Sequence, residues 1–168
     1  MKKTSILLAG ALLASMLSCS SPSMAQVQAF NELPLISITA TLSPVSVSAR
    51  LNKAFGRVFQ SATNQRWYEV EKNFLVKFNM NGRENRALFT SKGALVYHVE
   101  YGSESFLPHD VRQLVKSKYY DQTISRVLKI EQDKRTIWLI HLEDANDHIR
   151  ARVEDMELEE TQRLHKDK

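Results

Sequence analysis

Cysteine is nearly missing from this chain: the only one among 168 residues is Cys19, close to the N-terminus. Beyond that position no disulfide can form, and thiol catalysis and cysteine-ligated metal are both excluded. The fold must therefore hold by its apolar core. Glycine is scarce too, at five residues, one of which is Gly10 and another, Gly56, stands alone in a helical pattern. No glycine-rich loop is available to cradle a phosphate. No G-x-S-x-G elbow occurs, which removes the best-known setting for an activated serine. The longest apolar run, residues 6–17, falls well short of the ~20 residues a membrane-crossing helix needs.

What is present begins with an export signal. Lys2 and Lys3 precede the apolar stretch, and Ser23-Met24-Ala25 places small residues where a signal peptidase needs them. The expectation is a signal peptide over residues 1–25, cleaved before Gln26, and a periplasmic or secreted product. The alternative is lipidation of Cys19 and anchoring to the envelope, although Met16-Leu17-Ser18 is a poor match to the usual lipoprotein signal. Removing residues 1–25, which hold Lys2, Lys3 and no acid, lowers the formal charge from +4 to +2. A balance so even, with acids interspersed, leaves no footprint for nucleic acid. Residues 26–46 carry a single charge, Glu32, and are punctuated by Pro34 and Pro44, so they read as an extended leader.

From Val47 the period becomes helical. Val47, Leu51, Ala54, Phe55, Val58 and Phe59 form one stripe, Arg50, Lys53 and Arg57 the other, and Ser46 is the expected cap. Four strand-like segments follow. Phe74, Val76, Phe78 and Met80 alternate with Leu75, Lys77 and Asn79, and Asn81-Gly82 suits a tight hairpin. Ala87 and Phe89 return inward, Lys92-Gly93 turns, and Leu95, Tyr97, Val99 and Tyr101 alternate again. The order then repeats. Leu107-Pro108 opens a helix with Val111, Leu114, Val115 and Tyr119 on its buried stripe, and strands follow around Ile130, Ile140 and Ala151. The domain expected is residues 47–165, with repeats over about 47–102 and 107–165. The fold class is α+β, tandem helix–antiparallel meander repeats forming one sheet with two helices packed on one face.

That layout resembles the PepSY-like family of small exported bacterial proteins, whose fold is similar to the tandem repeats of beta-lactamase inhibitor protein. The resemblance rests on the helix at residues 51–59, Arg66-Trp67-Tyr68-Glu69, and Phe74-Leu75-Val76-Lys77-Phe78 with Asn81-Gly82. It also rests on Ala87-Leu88-Phe89 with Lys92-Gly93-Ala94-Leu95-Val96-Tyr97, on Leu107-Pro108 with Asp110-Val111, and on Leu142-Glu143-Asp144. It spans roughly residues 47–164, and the order of the motifs carries it. The second repeat departs in having no glycine in the turn at residues 144–147. The resemblance implies an exported, non-catalytic module, with no active site and no cofactor to carry over.

Candidate chemistry is thin. His98 and His141 fall out of phase with the expected core, which places both on the open face, but no third ligand joins them into a metal site. Glu154-Asp155, Glu157 and Glu159-Glu160 stand among arginines and read as a solvated edge. With Tyr68 and Val70 in the core phase, Trp67 is left outside. The open face then carries Trp67, Leu75, Lys77, Val96, His98, Lys129, His141, Arg150 and Arg152. An exposed tryptophan among arginines has the composition of an interface hot spot. The expected binding residues are Trp67, Lys77, His98, His141, Arg150 and Arg152, and the expected partner is a periplasmic protein or peptide. The alternative is a carrier of a small apolar ligand held between sheet and helices.

Overall fold

The structure, a computed structural model, describes residues 43–167. The expected signal peptide, Cys19 and most of the leader lie outside the described residues. Helix α1 (Ala49–Val58) precedes strands β1 (Thr63–Val70), β2 (Asn73–Met80), β3 (Arg83–Thr90) and β4 (Leu95–Gly102). A short 3-10 turn (Glu104–Phe106) leads to helix α2 (His109–Lys118), then β5 (Thr123–Gln132), β6 (Arg135–Glu143), β7 (Asp147–Glu154) and β8 (Glu157–His165). The eight strands form one antiparallel sheet in sequence order, β1 to β8.

Local chemistry explains the element boundaries. Ser48, not Ser46, caps α1: its hydroxyl accepts the Leu51 N–H at 3.3 Å, satisfying one of the donors a helix start leaves open. The β2–β3 hairpin turns at Asn81 and Gly82, both with positive φ (53° and 73°), as a two-residue turn matched to strand twist requires. The second repeat makes equivalent turns without glycine, at Asp133 and Lys134 (50° and 65°) and at Asp155 and Met156 (48° and 62°). At β6–β7 the missing glycine is replaced by a side chain. The Asp144 carboxylate accepts the N–H groups of Asn146 (2.7 Å) and Asp147 (2.8 Å), folding the turn around itself.

Register places the layers. Trp67 pairs with Val76, Val76 with Ala87, and Ala87 with His98, so these four share the face covered by the helices. Leu51, Phe55 and Phe59 of the first helical segment pack onto Trp67, Val76, Phe78, Ala87 and Phe89. The Phe55 ring meets Trp67 edge-on at 5.6 Å and Phe78 at 5.0 Å. Val111 and Val115 of α2, with Leu107 and Tyr119, close over Val127, Trp138, Ile140, Leu142, Ile149, Ala151 and Val153. The end of the leader joins the first cluster through Val45 and Val47, and the Val45 N–H reaches the Trp67 carbonyl at 2.9 Å along the β1 edge.

Two expectations are corrected here. Trp67 is only 5% exposed and lies under α1, while Tyr68 faces the other way. The alternation in β1 is real but was assigned to the wrong face, because a tryptophan beside a tyrosine leaves the phase open and the indole gains most from burial. His98, 6% exposed, also faces the helix layer, and so does Lys129, whose ladder partner is Glu100. Here Tyr97, Val99, Leu128, Ile130 and Ile137 are buried on the side that neither described helix covers, the helix-free side (5% exposed or less). With apolar residues on both faces of these central strands, apolar alternation cannot tell which face meets the helices. Val96 sits at the irregularity between Leu88 and Phe89 in the β3–β4 pairing.

Burial of the indole gives a direct test. Trp67→Ala should lower unfolding free energy by about 3–5 kcal/mol, the usual cost of emptying a large core aromatic site. Tyr68→Ala, on the opposite face, should cost about 1 kcal/mol. Equal losses in urea denaturation would refute this assignment of faces.

Candidate functional site

Two polar constellations stand on the sheet, one on each face. On the helix side, between the two apolar clusters, Asn85 is fully buried and its amide donates to the carbonyls of Met80 (3.3 Å) and Arg83 (2.9 Å). Those bonds orient its oxygen toward His98 Nε2 at 2.9 Å, and His98 Nδ1 lies 3.2 Å from Glu131. Glu131 in turn binds Lys129 at 2.6 Å, and Glu100 binds Arg83 at 2.6 Å. The Phe59 and Phe78 rings flank the imidazole at 4.8 and 6.1 Å. Every polar partner is spoken for, so this seam reads as a structural joint between the repeats.

The helix-free face is different in kind. The ladder aligns Lys77, Arg86 and Val99 in one row and Arg126, His141 and Arg150 in another. Between these rows Tyr101, Leu128, Leu139 and Arg152 form a third. Lys77 lies over the Tyr68 ring at 5.2 Å and Arg86 over the Tyr101 ring at 4.8 Å, so cationic stems roof part of an apolar floor. Burial, then the Arg86 charge, lowers the Lys77 pKa.

Of the six residues expected to bind a partner, Lys77, His141, Arg150 and Arg152 share this face, whereas Trp67 and His98 do not. His98 and His141 are on opposite faces and cannot share a metal ion; among the described residues no cluster of ligands fit for one occurs. Sequence reasoning missed Tyr68, Tyr97, Tyr101, Arg86 and Arg126. The signal for Arg126 is invisible in the sequence, because a register shift between Ile124 and Arg126 sets it opposite His141. Three acids of the acidic run are held in ion pairs: Glu154 is bound by Arg135 and Arg152, Glu159 by Arg152, and Glu160 by Arg163 and the Tyr119 hydroxyl.

His141 is the titrating group of the face. Burial, then the Arg150 and Arg126 guanidiniums, push its pKa down from 6.5 to about 4, so the imidazole is neutral near pH 7. A folded-state pKa below the unfolded one stabilises the protein above about pH 6.5, and that contribution is lost as pH falls toward 4. Glu160, held down first by Arg163, and Asp144, held down by the Asn146 and Asp147 amides, titrate below the usual carboxylate range. Between pH 7 and 4.5, wild type should therefore lose about 1–2 kcal/mol more stability than His141→Gln. Denaturant melts at both pH values check this, and identical losses would count against it.

No protein-family model matches the chain, and no curated protein sequence matches it. Solved structures do. A BLIP-like protein from Bacteroides fragilis aligns with a TM-score of 0.61 at 15% identity, covering 72% of this chain and 87% of that one. A DUF2874 family protein from Bacteroides ovatus aligns with a TM-score of 0.61 at 17% identity over 72% of this chain and 89% of its own. A second DUF2874 family protein, from Bacteroides uniformis, gives a TM-score of 0.61 at 15% identity over 71% and 90%. At these identities the likeness is one of architecture, and the chain is similar in fold to BLIP-like proteins.

Proposed function

We propose that this chain is an exported, non-catalytic PepSY-like module that docks a protein or peptide partner on its helix-free sheet face. The observation that supports this is the makeup of that face. Tyr68 and Tyr101 stand with Arg86, Arg126, Arg150 and Arg152 around buried Leu75, Tyr97, Val99, Leu128, Ile130 and Ile137, and among the described residues no helix lies over them. Tyrosine and arginine over an apolar floor are what binding hot spots are built from. The residue expected to anchor the partner, Trp67, gives up that role to the tyrosines. The likeness to BLIP-like structures agrees with a binding role, and the residues before Gln26 with an envelope location.

The carrier reading needs a void between helix and sheet. Phe55, Phe59, Phe78 and Phe89 fill that space beneath α1, with ring centroids 4.7 to 6.4 Å apart. Nothing in the core favours it over docking.

Crosslinking in the native envelope, followed by capture, tests the docking face. The double variant Tyr68→Ala, Tyr101→Ala should lose partner recovery by about thirtyfold or more, as for hot-spot truncations. Arg50→Glu with Lys53→Glu, on the exposed side of α1, should leave recovery unchanged. Loss through the α1 variant alone would place the interface on the other side of the molecule.

The mass of the protein recovered from the envelope tests export: a chain starting at Gln26 is expected. A chain starting at a lipid-modified Cys19 would replace the free module with a tethered one.

A further inference from the structure

The helix-free face carries a feature that docking in general does not require. Arg126 on β5, His141 on β6 and Arg150 on β7 are direct ladder neighbours, three nitrogenous bases abreast. Adjacent like charges across strands are destabilising, and several cations of this face are matched. Arg86 is paired with Glu84 at 2.9 Å, Arg152 with Glu154 and Glu159, and Arg135 with Glu154. Among the described residues Arg126 and Arg150 have no carboxylate within ion-pair distance, as is also true of Arg66 and Lys77 in the row that ends at Arg86.

Two further observations point to a ligand. His141 Nε2 and Arg150 Nε, on directly paired residues, are closed to solvent and make no hydrogen bond within the protein. Buried polar atoms without a partner are uncommon and call for one. Beside them Arg86, Tyr101, Arg126, Leu128 and His141 line a pocket of about 60 Å³. That is room for one small functional group rather than for a whole metabolite, whose sites are several times larger.

We infer that this pocket receives a carboxylate presented by the docked partner, gripped by Arg126 and Arg86 and flanked by His141. Charge decides between a carboxylate and a phosphate. Glu84 already offsets Arg86 and the imidazole is neutral, so among the lining residues Arg126 supplies the one uncompensated charge. A singly charged planar group matches the guanidinium fork, while a dianion exceeds what the pocket balances. Leu128 and the Tyr101 ring line the pocket beside the cations and suit the methylene that would carry the carboxylate. The inference rests on the docking reading for its partner and on the pocket alone for its chemistry.

The test uses the chain from Gln26 with four probes: sodium acetate, inorganic phosphate, and the blocked tripeptides Tyr-Glu-Tyr and Tyr-Gln-Tyr. The glutamine peptide is also supplied with a free C-terminal carboxylate. Nuclear magnetic resonance follows the His141 ring and arginine Nε–H signals. Acetate and the glutamate peptide should give saturable shifts at His141 and Arg126 and raise the His141 titration midpoint, as a nearby anion must. Arg126→Gln should weaken acetate about tenfold or more, Arg126→Lys less, and Arg112→Gln on α2 not at all. Preference for the glutamate peptide over the free C-terminus identifies a side-chain carboxylate, and the reverse identifies a chain end. Tighter binding of phosphate than acetate, no saturable shift from any carboxylate, or full affinity in Arg126→Gln would overturn the inference. If Arg126→Gln still captures the envelope partner while the tyrosine double variant does not, docking stands and the carboxylate pocket falls.

Discussion

The whole arrangement depends on the ladder between β4 and β5. Five residue pairs, from His98 with Glu131 to Gly102 with Val127, join the two helix–meander units into one sheet. Without that join each unit would be a four-stranded meander with one helix and an exposed edge at its inner strand. With it, the central strands carry buried side chains on both faces. A strand in that position must be apolar in both directions, as Val99 and Ile130 show beside Val127. The join also brings polar groups inward. Asn85, His98, Glu131 and Lys129 occupy the space where neither apolar cluster reaches, and they satisfy one another there.

The same constraint shapes the docking face. Because the sheet is continuous, residues from both repeats meet on one surface: Arg86 and Tyr101 from the first, Arg126 and His141 from the second. Neither repeat alone could build that pocket. The duplication therefore does more than double the core; it creates a composite surface across the join.

Much of this architecture was readable in the residues. The helical stripe of Leu51 and Phe55, the Asn81-Gly82 turn and the recurrence of the pattern at Leu107 are each strong local signals. The faces of β1 and β4 were not readable, since Trp67-Tyr68 and the Tyr97–Val99 stretch fit either phase until a partner strand is known. Nor was the turn at Met156, where an apolar side chain adopts positive φ. Of the candidate site, the positions whose phase is set by neighbouring charge, Lys77, Arg150 and Arg152, came out on the right face. Arg126 required the register shift that only pairing reveals.

The last strand has a consequence of its own. Strand β8 presents Glu157, Glu159, Gln162, Arg163 and His165, all exposed, and its ion pairs run back to β7 through Arg152 with Glu159 and Arg163 with Asp147. Any chain adding itself alongside would have to strip water from that charged fringe for little apolar return. At the opposite end the leader already takes the Trp67 carbonyl. Charge along β8 and the leader beside β1 thus both disfavour the addition of a further strand at the margins of the described sheet.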